Sequence, residues 1–195
     1  GDHMRQVIGR LLEVSQTVPS ADSIVPEPVA LETLGNWIVT MSEPVARRYG
    51  LQVRMDLDRP GNEGLAVQAD PLALRQAILN FVDNGLKFTP SGGCVTVMAK
   101  RDHRGLVLTV ADTGIGMSTA RLAALEEPMA EGGSEPVNGS KGLGLGLSLS
   151  RGLLALMGFS TSIESTLGEG TRVLVQIPRT ALIEPARAKP KMANA

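Results

Sequence analysis

Asn80, Asn84 and Lys87 are spaced by four and by three residues, so on a helix two amides and an ammonium share one stripe. Asparagine is a poor helix former, and amides and ammonium groups are costly to bury without partners. Such a stripe reads either as a solvated face or as a surface that meets a polyphosphate. In the second case an amide oxygen ligates Mg²⁺ and the lysine neutralises phosphate charge. A second cluster is VADTGIGM, residues 110–117, where a strand runs into Asp112 and then Gly114 and Gly116. A carboxylate that only accepts hydrogen bonds, walled by glycines, can receive an exocyclic amine such as that of adenine. The plain alternative is an Asp-Thr-Gly turn. The third cluster is SKGLGLGLSLS, residues 140–150, in which Gly142, Gly144 and Gly146 alternate with leucines. It is neither a P-loop nor a G-x-G-x-x-G fingerprint. Bare backbone before a helix lets N–H groups approach a phosphate at the positive end of the helix dipole. A closely packed turn is the other reading.

Elements must position these groups. Residues 70–88 read as the clearest helix: Asp70 can cap it, Pro71 suits its first turn, and Leu74, Ile78, Phe81 and Gly85 form its apolar stripe. Strands are expected at about 93–101 and 105–112, joined by a turn at His103, and at 160–166 and 170–177, joined at LGEG. A helix at about 145–157 follows a Gly/Ser/Glu/Pro-rich loop, 126–141. Upstream, a strand near 27–31 leads into a helix over 32–49. Leu34, Ile38, Met41 and Val45 form its inner face, and Pro44 is placed to bend or break it. GLQVRMDLD and GLAVQAD read as two further strands. Val7, Leu11, Val14 and Val18 step as a heptad seam, either one face of an ordinary helix or the end of a longer bundle helix. Residues 19–26 read as a linker, 1–4 as a cloning scar and 179–195 as a disordered tail.

Composition narrows the function. With 19 basic and 20 acidic residues the net charge is −1, which gives no electrostatic case for nucleic acid or an anionic membrane as a partner. The single cysteine, Cys94, excludes a disulfide framework or a cysteine-rich metal site within one chain. The best apolar run, 143–159, is broken by Arg151 and by Gly and Ser, so no membrane span is expected and the domain reads as cytoplasmic. His103, the only histidine outside the leader, reads as a solvated loop residue.

The order of the three clusters is more specific than any one of them. The sequence resembles the catalytic, ATP-binding domain of bacterial sensor histidine kinases, within the Bergerat-fold ATPase superfamily. LRQAILNFVDNGLKFTPSGG resembles the family's N box, DTGIGM and GLGLGLSLS its two glycine boxes, and GEGTRVLVQIP its closing strand, so the resemblance covers roughly 65–178. It implies an α/β two-layer sandwich over 27–178, a mixed β-sheet packed on helices, with a flexible ATP lid at about 118–141. By that resemblance Asp112 bonds the adenine amine, with a water shared by Thr171, beside Gly114 and Gly116. Phe88 stacks near the base. Asn84 ligates Mg²⁺, and Asn80, Lys87 and Lys141 hold phosphates. Gly142, Leu143, Gly144, Leu145 and Gly146 wrap the triphosphate with backbone.

The implied reaction is transfer of the ATP γ-phosphoryl group to a histidine on a separate dimerisation domain. A response-regulator receiver domain is the further partner. No acceptor histidine precedes the domain here, so this chain is expected to bind ATP without phosphorylating itself, and it is expected to be a monomer because the family's main dimer contacts lie in the helical bundle. The complete protein is expected to be a homodimer, with a membrane anchor permitted. Gly85 stands where the family usually has Ala, and Leu143 where it often has Thr or Ser. LEEPMAEGG lacks the usual lid phenylalanines, which predicts a weaker grip on ATP. Two other readings compete. A hydrolytic ATPase of the superfamily needs a glutamate where Asn80 stands, and a degenerate docking module would need no nucleotide at all.

Overall fold

Alternate residues from Val95 to Ala99, from Leu106 to Val110 and from Val173 to Ile177 are buried. That two-residue period is the mark of strands with one covered face. The computed structural model describes residues 24–57, 62–125 and 145–185, with the side chain of Leu145 excepted. Along the chain run β1 (Glu27–Ala30), α1 (Leu31–Tyr49), β2 (Gln52–Asp56), β3 (Ala66–Ala69), α2 (Pro71–Phe88) and β4 (Cys94–Arg101). Then come β5 (Gly105–Asp112), α3 (Thr119–Ala124), α4 (Leu145–Leu156), β6 (Ser160–Thr166) and β7 (Gly170–Pro178). A 3₁₀ turn, Arg179–Ala181, leads into the two-residue β8 (Leu182–Ile183).

The main sheet has the order β2-β4-β5-β7-β6. Its β2–β4 pair is parallel and its other pairs are antiparallel, so the sheet is mixed as expected. A smaller antiparallel sheet, β1-β3-β8, sits beside it. Helices α1, α2 and α4 bring Leu34, Ile38, Leu74, Ile78, Phe81, Leu86 and Leu154 into one core with the buried strand residues. Each such side chain contributes roughly 1.5–3 kcal/mol by leaving water.

Asp70 caps α2 as expected: its Oδ1 accepts from the N–H of Ala73 at 2.9 Å, and Pro71 opens the helix. Three expectations need correction. On α1 the inward residues are Leu34, Ile38, Ser42 and Ala46, while Met41 and Val45 are exposed. The buried stripe steps by fours, and in the second half of α1 it is made of small side chains. Pro44 does not break α1, which continues to Tyr49 and ends at Gly50 with φ 67°. Pro44 lies on the exposed side of the helix. The tail is ordered beyond 178: β8 pairs with β3, and Arg101 bonds Glu184. The short helix α3, capped by the Ser118 hydroxyl accepting from Arg121 N–H, was not anticipated within the lid segment. The seam at 5–18, the loop 126–144 and the tail from 186 lie outside the described residues.

Candidate functional site

Asp112 ends β5 two residues after buried Val110, so its side chain falls on the helix-covered side of the sheet. Its Oδ1 accepts from the N–H of Gly114 at 2.8 Å and of Thr171 at 3.2 Å. Both bonds fall on one oxygen, so Oδ2 keeps its acceptor capacity for a ligand. Burial pushes the carboxyl above the ordinary aspartate range, and the two N–H bonds pull it part of the way back. Glycines from three segments of the chain crowd around this one residue. A Cβ on Gly114 would lie 2.5 Å from the Phe88 carbonyl oxygen and 2.7 Å from Asp112 Oδ1. One on Gly85 would approach Val95 to 3.0 Å and the Asp112 Cβ to 3.3 Å, and one on Gly170 would collide with the Asp112 carbonyl. Together they leave a cradle that side chains would fill.

The loop after Asp112 is tied down on both sides. The Ile115 N–H donates to the Phe88 carbonyl at 3.1 Å, and the Gly168 N–H donates to the Ile115 carbonyl at 2.7 Å. Gly116 has φ 62°, and a Cβ there would strike the Thr166 carbonyl, so this position requires glycine twice over. The Met117 N–H donates to Ser165 Oγ at 2.9 Å. Phe88, at the end of α2, is thereby held beside the loop.

Asn80, Asn84 and Lys87 are half-buried along α2. The Asn80 amide donates to Ser150 Oγ on α4 at 2.8 Å. Gly146, one turn before Ser150, passes so close that a Cβ would lie 2.6 Å from Asn80 Oδ1. Helix α2 therefore carries both ends of the site: Gly85 packs on Asp112, and Asn80 meets α4. Among the described residues, contacts join Gly146 to Asn80, Gly114 to Phe88, and Gly114 and Thr171 to Asp112. Gly116 lies in the loop after Asp112, and Asn84 and Lys87 are half-buried on α2 between Asn80 and Phe88. Lys141, Gly142, Leu143, Gly144 and the Leu145 side chain lie outside them.

Sequence reasoning missed Ser150, Ser165 and Gly170. A faint signal existed for Ser150, which follows Gly146 by one helical turn, but Ser165 needed the strand register to reveal it. Among the described residues no group of three His, Cys, Asp or Glu side chains could hold a metal. The amide-bearing stripe instead suits a divalent cation whose remaining ligands are phosphate oxygens and water.

Residues 69–181 match the family model described as histidine kinase-, DNA gyrase B- and HSP90-like ATPase. A sensor-like histidine kinase of Rhizobium meliloti is 34% identical over 181 residues, covering 93% of this chain and 34% of that protein. Histidine protein kinase DivJ of Caulobacter vibrioides is 48% identical over 129 residues, covering 66% of this chain and 21% of that protein. This chain thus spans about a third of the length of the first of those relatives and about a fifth of the second. The crystal structure of full-length ShkA in complex with AMPPNP is similar with a TM-score of 0.73 at 28% identity, covering 91% of this chain and 36% of that one.

Proposed function

The chain belongs to the histidine kinase-, DNA gyrase B- and HSP90-like ATPases, and from that premise we propose that it holds Mg²⁺–ATP between α2, β5 and α4 for phosphoryl transfer to histidine. Its kind is the ATP-binding catalytic domain of sensor histidine kinases. The observation that carries the proposal is the glycine-walled Asp112 carboxylate, with Oδ2 left for an exocyclic amine.

Each residue then has a task. Asp112 accepts from adenine and Phe88 lies against the base. Asn84 offers an amide oxygen to Mg²⁺, and Asn80, Lys87 and Lys141 meet phosphate oxygens. The backbone from Gly142 to Gly146 supplies N–H donors at the start of α4, where the helix dipole favours an anion. Bound Mg²⁺ supplies charge neutralisation across the phosphates. Phosphoryl transfer needs little more than positioning and charge neutralisation, which suits a site without a nucleophile of its own. Water activation finds no base at Asn80, whose amide lacks a basic lone pair and already bonds Ser150. That counts against hydrolysis as the main activity.

The phosphoacceptor is a histidine on a dimerisation domain of the same protein, and a receiver domain then takes the phosphoryl group. Among the described residues no helix is long and apolar enough to cross a membrane. The test is transfer in trans: the chain is mixed with a separately produced dimerisation domain and labelled ATP. Phosphohistidine should form on the added domain and disappear with Asn84→Ala. Phosphate release without phosphohistidine would overturn the proposal.

A further inference from the structure

The hydroxyl of Ser165 makes three contacts, and their polarity can be assigned. It donates to the Gly170 carbonyl at 2.9 Å, because a carbonyl can only accept. It accepts from the Met117 N–H at 2.9 Å. Its third neighbour is Thr171 Oγ1, also at 2.9 Å. A hydroxyl has one proton and two lone pairs. The Ser165 proton is already committed to Gly170, so the third contact requires the Thr171 hydroxyl to donate. Ser165 and Thr171 face each other across β6 and β7, so the register holds them in this arrangement.

We propose that Ser165 is a specificity-determining residue: by taking the Thr171 proton, it leaves Thr171 Oγ1 an acceptor only, on the residue whose own N–H bonds Asp112 Oδ1. The inference rests on the nucleotide site proposed above. Acceptors on Asp112 and Thr171 admit a base edge that presents N–H donors, or a bridging water that donates through O–H. They leave a 6-keto purine oxygen unpaired, and an unpaired buried polar group costs more than a missing contact. Ser165 touches no ligand in this scheme. It sets which way the proton of its neighbour points, and through Met117 it also anchors the loop that follows Asp112.

The test compares the Kd values of ATP and inosine triphosphate, which differ in the 6-amino and 6-keto groups and in the N1 position. Wild type should prefer ATP. Ser165→Ala frees the Thr171 proton to donate to a keto oxygen, so the preference should fall about tenfold, the worth of one hydrogen bond of ordinary strength. In a Thr171→Val background there is no hydroxyl to redirect, so adding Ser165→Ala should leave the preference where Thr171→Val alone puts it. Thr171→Ser keeps the hydroxyl and should keep the wild-type preference. That pair of Thr171 variants decides the matter if Ser165→Ala fails to fold. Equal weakening of both nucleotides by Ser165→Ala, or by Thr171→Val if that variant must decide, would reduce Ser165 to a structural residue and overturn the inference, with ATP binding intact. Failure of wild type to bind either nucleotide would overturn the nucleotide site itself.

Discussion

Asp112 holds two opposed requirements in one carboxyl group. Burial raises its pKa, so its contribution to stability is fully present below the ordinary aspartate range and is lost as pH rises through the raised value. Ligand binding runs the other way, because only the ionised form offers acceptors on both oxygens. ATP affinity should therefore fall on acidification, beginning above the pH at which an ordinary aspartate protonates. Titration at several pH values, with unfolding followed in parallel, checks both slopes. Asp112→Asn separates the requirements. An amide oxygen still accepts from Gly114 and Thr171, so melting should shift stability by no more than about 1 kcal/mol. ATP affinity should fall at least about 100-fold, since an amide N–H then faces the adenine amine. Gly146→Ala should also lower affinity while leaving the fold intact, because its Cβ must displace the Asn80 amide. Affinity unchanged in that variant would remove Asn80 from the site.

Helix α2 was legible almost whole, because cap, proline and apolar stripe agree on one register. Asp70→Ala should cost about 1 kcal/mol through the lost N-cap. Asp70 also accepts from the Val25 N–H at 3.1 Å, so the same change loosens the entry to β1. Urea unfolding with an unchanged slope would measure the first effect, and hydrogen exchange at Val25 the second. Helix α1 was half legible: residues four apart and three apart both fit an apolar face, and only packing chose Ser42 and Ala46 over Met41 and Val45. The two-residue β8 carries no readable period, and its pairing with β3 is a tertiary fact. The Asn80–Ser150 and Ser165–Thr171 bonds were illegible for the same reason, since each joins elements that only the fold brings together. What the sequence did disclose was the residues whose chemistry is unusual for their element, amides on a helix and glycines at a strand end.

At the scale of the molecule, a mixed sheet covered by three helices forms the floor of the site, and the proposed function puts the phosphoacceptor on another domain. His103, exposed in the β4–β5 turn, is not a candidate acceptor. Incubated alone with Mg²⁺–ATP, the chain should gain no acid-labile phosphate, and label on His103 would contradict that arrangement. The most direct test of the central claim is calorimetric titration with ATP and ADP, with and without Mg²⁺, for wild type, Asp112→Asn and Asn84→Ala. Wild type should bind, Asp112→Asn should not, and Asn84→Ala should lose the dependence on Mg²⁺. Wild type that binds no nucleotide at high concentration, or Asp112→Asn that binds as wild type does, would contradict it.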